Sequence, residues 1–193
     1  MFRFSVVKAG LAVLVLLGCV AAAQTSSSQR LPDVPYLPTT EAAVDAMLKL
    51  ASVKSSDMVY DLGCGDGRLV IAAAKEYGAH GVGIDINPDR IREANENARK
   101  AGVENLVRFE ENDFFKADIH EASVVTLFLL NSVNLQLLPK LLQELKPGTR
   151  IVSNTFRMGD WTPDREETVE GTDEKTFFSR KLYLWIVPPR SGN

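Results

Sequence analysis

A glycine-rich stretch between an apolar strand and an alanine-rich helix is the feature that most constrains the fold. It reads VYDLGCGDGRLVIAAAK over residues 59–75, with glycines at positions 63, 65 and 67. A strand, a glycine turn and a helix in this order form the opening unit of a parallel α/β sheet, and such turns often hold a nucleotide-containing ligand. The stretch therefore predicts a ligand site at the carboxyl end of this strand.

Strand-like and helix-like segments alternate along the rest of the chain. Apolar runs predict strands at 57–63, 81–86, 106–113, 122–130 and 149–156. Helical spacing predicts helices at 39–53 with a capping threonine, at 68–77, at 88–102, and from Pro139 to Pro147–Gly148. The sequences REETVEG and FFSRKLYLWIV predict a closing pair of strands. We expect an α/β fold: a doubly wound, mostly parallel sheet with a C-terminal antiparallel hairpin.

Composition narrows the classes of function. The 193 residues fit one domain, and a net charge of −3 gives no general attraction to nucleic acid or anionic lipid. The chain has two cysteines and two histidines, with no CxxC motif and no histidine cluster. We therefore expect neither a disulfide framework nor a metal site.

The N-terminus differs from the rest of the chain. A positively charged start, MFRFSVVK, precedes an uncharged apolar run over residues 9–23. That run is short for a membrane span, which takes about 17–25 residues, and the pattern is typical of a secretory signal. Cleavage after Ala23 and lipidation of Cys19 in the lipobox-like LLGC are the competing routes, with an uncleaved anchor as the alternative.

These features divide the chain into three parts. The predicted parts are a signal peptide or lipoprotein signal over 1–23, a spacer over 24–38 and a folded domain over 39–190. We therefore expect an exported protein, in the bacterial periplasm or tethered to the envelope membrane through its N-terminus. The sequence makes no prediction of oligomeric state.

The residues around the glycines discriminate between ligands. No Gly-Lys-Ser/Thr occurs, so a P-loop is excluded, and the dinucleotide fingerprint requires glycine where this chain has Arg68. Asp61 and Asp66 would repel a pyrophosphate and favour a ligand with a positive end. S-adenosylmethionine is such a ligand, because it carries an ammonium, a sulfonium and one carboxylate. Asp61 would meet the ammonium, while Gly63 and Gly65 let the backbone close on the ligand.

Two further acids follow the next strands. Asp85 ends the second strand, where a carboxylate can accept both hydroxyls of a ribose. Asp113 follows the third strand and is placed for the exocyclic amino group of adenine. Each acid also has a structural alternative, Asp85 as a turn residue and Asp113 as a helix cap. Their position after successive strands favours ligand binding.

The sequence resembles class I methyltransferases over about residues 55–155. VYDLGCGDG is similar to their first motif, GIDI to the second, FEENDF to the third, and LLPKLLQELKPG to the helix before their fifth strand. This resemblance assigns Asp85 and Ile86 to the cofactor. VPYLPTTEAAVDAML, LLNSVNLQLLPKL and FRMGDWTPD further resemble the small lysine methyltransferases of mitochondrial adenine-nucleotide carriers and the ATP-synthase c subunit, and their bacterial relatives. That likeness implies that Tyr36 and Thr39 cover the methionine end of the cofactor.

The predicted reaction is methyl transfer, with protein lysine as the favoured acceptor. Asn131, after the fourth strand, could orient an amine or cap the following helix, and the motif that stacks a flipped base is absent there. Trp161 could wall the acceptor pocket, whereas Phe156 fits core packing better. A small-molecule acceptor and a non-catalytic S-adenosylmethionine-binding protein are the alternatives. Export would separate the enzyme from the cytosol, where the methyl donor is made.

Overall fold

The computed structural model describes residues 37–170 and 179–190. The predicted signal segment 1–23 and most of the spacer fall outside these residues. Between 37 and 170 and from 179 to 190, no helix has both the length and the apolar character needed to span a bilayer.

The described residues form one seven-stranded sheet with four α-helices. The strands are β1 Met58–Leu62, β2 His80–Asp85, β3 Val107–Glu111, β4 Val124–Leu127, β5 Arg150–Asn154, β6 Arg165–Val169 and β7 Arg180–Ile186. The helices are α1 Glu41–Leu50, α2 Arg68–Tyr77, α3 Pro88–Ala101 and α4 Asn131–Glu144.

The sheet has the order β3-β2-β1-β4-β5-β7-β6. Strands β1 to β5 pair in parallel, and β7 pairs antiparallel with both β5 and β6. The expected fold class, including the C-terminal antiparallel hairpin, is confirmed. Because the strand order reverses between β1 and β4, a crevice opens at the carboxyl ends of these two strands.

Two apolar layers cover the sheet. Residues of α1, α2 and α3 pack on one face, and residues of α4 pack on the other. Side chains of β1 alternate between the layers, with Val59 in the first and Tyr60 and Leu62 in the second. Helix α1 begins at the predicted cap, where Thr40 Oγ1 accepts the N–H of Ala43 at 3.3 Å.

The prediction for α4 was wrong at its start. The helix begins at Asn131, and Pro139 lies inside it rather than opening it. A proline inside a helix leaves the carbonyl four residues earlier, here that of Leu135, without its helical partner. Both Pro139 and Leu135 are exposed, so that water can donate a hydrogen bond to this carbonyl. Strand β4 spans Val124–Leu127, shorter than the predicted 122–130.

Candidate functional site

A cavity of about 520 Å³ opens at the carboxyl ends of β1, β2 and β4. It lies at the point where the strand order reverses, as the topology requires. Several residues predicted from the sequence line it: Thr39, Asp61, Gly63, Asp66, Asp85, Ile86 and Asp113. The fold thus brings residues that are far apart in the sequence to one pocket, which lies beside the glycine loop.

The glycine loop is held by its own backbone and by β2. Gly63, Gly65 and Gly67 all have positive φ, of 84°, 54° and 79°. The N–H of Gly65 donates to Asp85 Oδ2 at 2.9 Å, so Gly65 shapes the pocket through Asp85 rather than by lining it. A Cβ on Gly67 would lie 2.6 Å from the Phe109 ring, so this glycine allows close packing of α2 on the sheet.

Asp61 is the buried carboxylate of the site. It is 8% exposed and lines the cavity, and its Oδ1 accepts the hydroxyl of Thr126 at 2.7 Å. Its Oδ2 accepts no hydrogen bond from the described residues. Burial, together with the charges of Asp85 and Asp66, raises the pKa of Asp61 to about 7 against the effect of the Thr126 hydroxyl. The site is therefore arranged to gain from a cation beside this carboxylate.

Asp66 has a different environment from the one that the sequence suggested. Arg68 Nε lies 2.9 Å from Asp66 Oδ1, and a terminal nitrogen of the same guanidinium lies 2.5 Å from Oδ2. Arg68 thus offsets part of the charge of Asp66, although this charge still contributes to the raised pKa of Asp61. The prediction that Asp66 repels a phosphate stays a prediction.

Asp85 and Asp113 serve the backbone as well as the cavity. Asp85 accepts the N–H groups of Gly65 and Asn87, both at 2.9 Å, and Asp113 accepts that of Phe115 at 3.0 Å. The structural alternative for Asp85, a turn residue, is therefore realised, whereas Asp113 stabilises a turn and caps no helix of the described residues. Since each carboxylate oxygen can accept a second bond, these contacts leave capacity for a ligand.

The residues predicted for the acceptor side lie outside the cavity lining. Asn131 is exposed, and its Oδ1 accepts the N–H of Arg157 at 2.9 Å, which ties the start of α4 to the loop after β5. Trp161 packs on the core, 6.0 Å between ring centroids from Trp185, whose indole N–H donates to the Trp161 carbonyl. Their catalytic roles stay predictions. Tyr36 lies outside the described residues.

Sequence reasoning missed Phe128, an aromatic residue at the cavity wall. Phe128 follows β4 and lines the cavity, and its ring stacks on Phe156 with centroids 6.1 Å apart. The guanidinium of Arg180 lies 5.2 Å from the centroid of Phe128. Phe128 stands in a continuous apolar run, which hid it among core residues. Its position just beyond β4, at the carboxyl edge, is the signal that could have found it.

This fold, with an acidic cavity beside a glycine loop, defines a class I methyltransferase. Residues 61–165 match the ANTKMT methyltransferase domain. The chain belongs to this family, and the resemblance seen in its motifs is confirmed.

Three similar proteins place the chain within the family. It is 47% identical over 157 residues to a protein-lysine N-methyltransferase of Saccharolobus islandicus, covering 81% of this chain and 95% of that protein. It is 32% identical to the Homo sapiens lysine N-methyltransferase of the ATP-synthase c subunit, with 87% of this chain and 73% of that protein covered. A solved structure of an RNA methyltransferase from Salinibacter ruber, in complex with S-adenosyl-L-homocysteine, has a TM-score of 0.75 and 49% identity, covering 81% of this chain and 97% of that chain.

Proposed function

We propose that this chain transfers the methyl group of S-adenosylmethionine to lysine side chains of proteins. The observation that carries the proposal is the 47% identity to the protein-lysine methyltransferase of Saccharolobus islandicus, which extends over 95% of that enzyme. The relative from Homo sapiens, also a lysine methyltransferase, supports the same acceptor chemistry.

The cavity fits the methyl donor at its charged end. Asp61 is a buried residue that lines the cavity, and its Oδ2 accepts no hydrogen bond from the described residues, as an ammonium partner requires. Asp85 would accept the ribose hydroxyls, Asp113 and Ile86 would hold the adenine, and the first N–H groups of α2 would meet the carboxylate. When bound, the donor supplies an electrophilic methyl group on a positively charged sulfur.

The acceptor must arrive as a neutral amine. Lysine has a pKa of about 10.4 in water, and burial beside apolar groups lowers it. Phe128 provides an aromatic wall on one side of the cavity, and Phe156 stacks on its ring. Such a site works by positioning the amine and removing its solvent, so that it needs no strong general base.

RNA is the second candidate acceptor, because the relative from Salinibacter ruber is described as an RNA methyltransferase. Binding of RNA depends on a basic surface that neutralises phosphates, whereas this chain has a net charge of −3. The charge of the chain therefore favours protein over RNA.

One labelling experiment separates the acceptors. The full chain is incubated with methyl-labelled donor and a cell lysate, and the products are treated in parallel with protease and ribonuclease. We expect protease-sensitive label that mass spectrometry assigns to lysine ε-nitrogens, with Asp61→Ala inactive and the exposed Asp118→Asn as the matched control. Label that only ribonuclease removes would instead establish RNA as the acceptor.

We further propose export of the folded domain, on the strength of the apolar run over residues 9–23 and the basic residues before it. A fusion of residues 1–38 to a phosphatase that is active only outside the cytosol tests this proposal. We expect activity, and we expect its loss when a charge interrupts the apolar run. An inactive, cytosolic fusion would overturn it and would remove the conflict with the cytosolic supply of the donor.

A further inference from the structure

Arg68 occupies a position where a cation is electrostatically unfavourable. It is the first residue of α2, and the amino end of a helix carries a partial positive charge. The first turn of α2 contains no acidic residue that would compensate. A basic residue at this point therefore needs hydrogen-bond acceptors that stabilise its charge, and the structure provides them.

The guanidinium of Arg68 joins two segments that are distant in sequence. Its Nε and one terminal nitrogen contact the carboxylate of Asp66 in the glycine loop, at 2.9 and 2.5 Å. Its other terminal nitrogen donates to the backbone carbonyl of Thr39 at 2.7 Å. The planar, forked guanidinium can hold both partners at once, which a lysine ammonium on a flexible stem cannot do with the same geometry.

The segment Leu37–Thr39, which Arg68 holds, is a wall of the cavity. Leu37, Pro38 and Thr39 all line it, on the side where α1 begins. Thr39 is 8% exposed, whereas Leu37 is 59% exposed, so this wall is anchored at one end and open to solvent at the other. Arg68 connects the anchored end to the loop that bears Asp66.

We propose that Arg68 is a positioning residue that latches the segment Leu37–Thr39 against the glycine loop and so sets how long the methyl donor and its product stay bound. The inference rests on the proposed function. In the latched arrangement the segment lines the pocket. Release of the Thr39 carbonyl frees the wall to move away and opens an exit for the product.

Dissociation kinetics of S-adenosylhomocysteine test the latch. We expect Arg68→Ala to raise the dissociation rate at least tenfold, with a smaller change in the association rate. Arg68→Lys should fall between this variant and the wild type, because a lysine can keep Asp66 or Thr39 but not both. Arg92→Ala removes an exposed arginine–aspartate pair on α3 and is the matched control, with an unchanged rate. An unchanged rate in Arg68→Ala would overturn the proposal, and thermal unfolding checks that each variant folds.

A donor analogue without its carboxylate separates the latch from a direct contact. Decarboxylated S-adenosylmethionine keeps the ammonium and the sulfonium but offers Arg68 no anion. If Arg68 acts as a latch, Arg68→Ala should weaken the binding of this analogue as much as it weakens the binding of the intact donor. If the loss disappears with the analogue, Arg68 binds the donor carboxylate directly and the latch is wrong. Failure of the wild type to bind any of these ligands would count against the proposed function instead.

Discussion

The two sides of the cavity differ in how their residues are organised. On the proposed donor side, Asp61, Asp85 and Asp113 lie near the carboxyl ends of three successive strands and all line the cavity. The residues predicted for the acceptor side, Asn131 and Trp161, lie outside its lining, and their contacts are with the loop after β5 and the core. The donor side is a set of local motifs at strand ends, whereas the acceptor side depends on packing between distant segments.

This difference follows from the ligands. Because the methyl donor always has the same structure, it requires the same charged residues at the same strand ends. Short stretches of sequence are therefore enough to predict its site. An acceptor that varies between enzymes is met by loops and aromatic surfaces whose positions arise only on folding. Mutations on the two sides should therefore have separable effects.

The largest effect is expected where the donor side meets the core. Gly67→Ala places a Cβ 2.6 Å from the Phe109 ring and strains a positive φ, whereas Gly102→Ala, at a similar φ of 70°, meets no atom within 4 Å. We expect the first variant to lose about 3 kcal/mol of unfolding free energy and the second about 1 kcal/mol. Urea denaturation measures both values. Equal losses of unfolding free energy in the two variants would show that the close packing of Gly67 against Phe109 contributes nothing to stability.

Asp61→Asn tests the charge at the centre of the donor side. We expect donor affinity to fall by about 1.5–3 kcal/mol in calorimetry, through loss of a charged hydrogen bond. The protein without donor should become more stable at pH 7. Because burial raises the pKa of Asp61 from 3.8 to about 7, its contribution to stability is complete below about pH 4 and is lost as the pH rises towards 7. An asparagine carries no charge and avoids this loss of stability. If the donor affinity is unchanged in Asp61→Asn, Asp61 does not belong to the donor site.

Asp85→Ala tests the ribose assignment. The variant removes the proposed acceptor of the ribose hydroxyls and also the partner of the Gly65 N–H. We expect donor affinity to fall by about 1–3 kcal/mol. Calorimetry with S-adenosylhomocysteine gives the value. Should 5′-methylthioadenosine, which keeps the ribose, bind both proteins equally well, the ribose assignment is wrong.

Trp161→Ala should have the smallest effect on the donor. Its ring packs on Trp185 and not on the cavity, so we expect less than about 0.5 kcal/mol of change in donor affinity, as for a substitution away from the site. Turnover with protein substrate should fall more than donor affinity, because the loop after β5 loses its support. Steady-state kinetics together with calorimetry separate the two quantities. The reverse pattern would place Trp161 at the donor.

The sequence predicted many of the residues that line the cavity, whereas Asn131 and Trp161, which it predicted for the acceptor, lie outside the lining. Asp61 and Asp85 could be found because they lie near the ends of apolar strands, in patterns that one ligand requires. The contact between Asn131 and Arg157 could not be predicted from the sequence, since it joins residues 26 positions apart through the packing of α4 against a loop. Arg68 was missed because it was considered only as a position that lacks glycine.

The same limits explain the errors in the fold. Pro139 was taken as a helix start because proline favours the first turn. The residue is compatible with a helix interior because its face is exposed, and exposure is a tertiary property. The order of the elements and the closing hairpin were predictable, since both follow from local patterns of apolar residues.

The affinity for S-adenosylhomocysteine as a function of pH tests most directly whether the Asp61 carboxylate binds the donor ammonium. Because burial raises the pKa of Asp61 to about 7, binding below this pH must release its proton. We predict that the dissociation constant of the wild type rises about tenfold per pH unit from pH 7 towards pH 5, while that of Asp61→Asn stays constant. A wild-type affinity that is flat across this range, or a parallel change in the variant, would contradict the account.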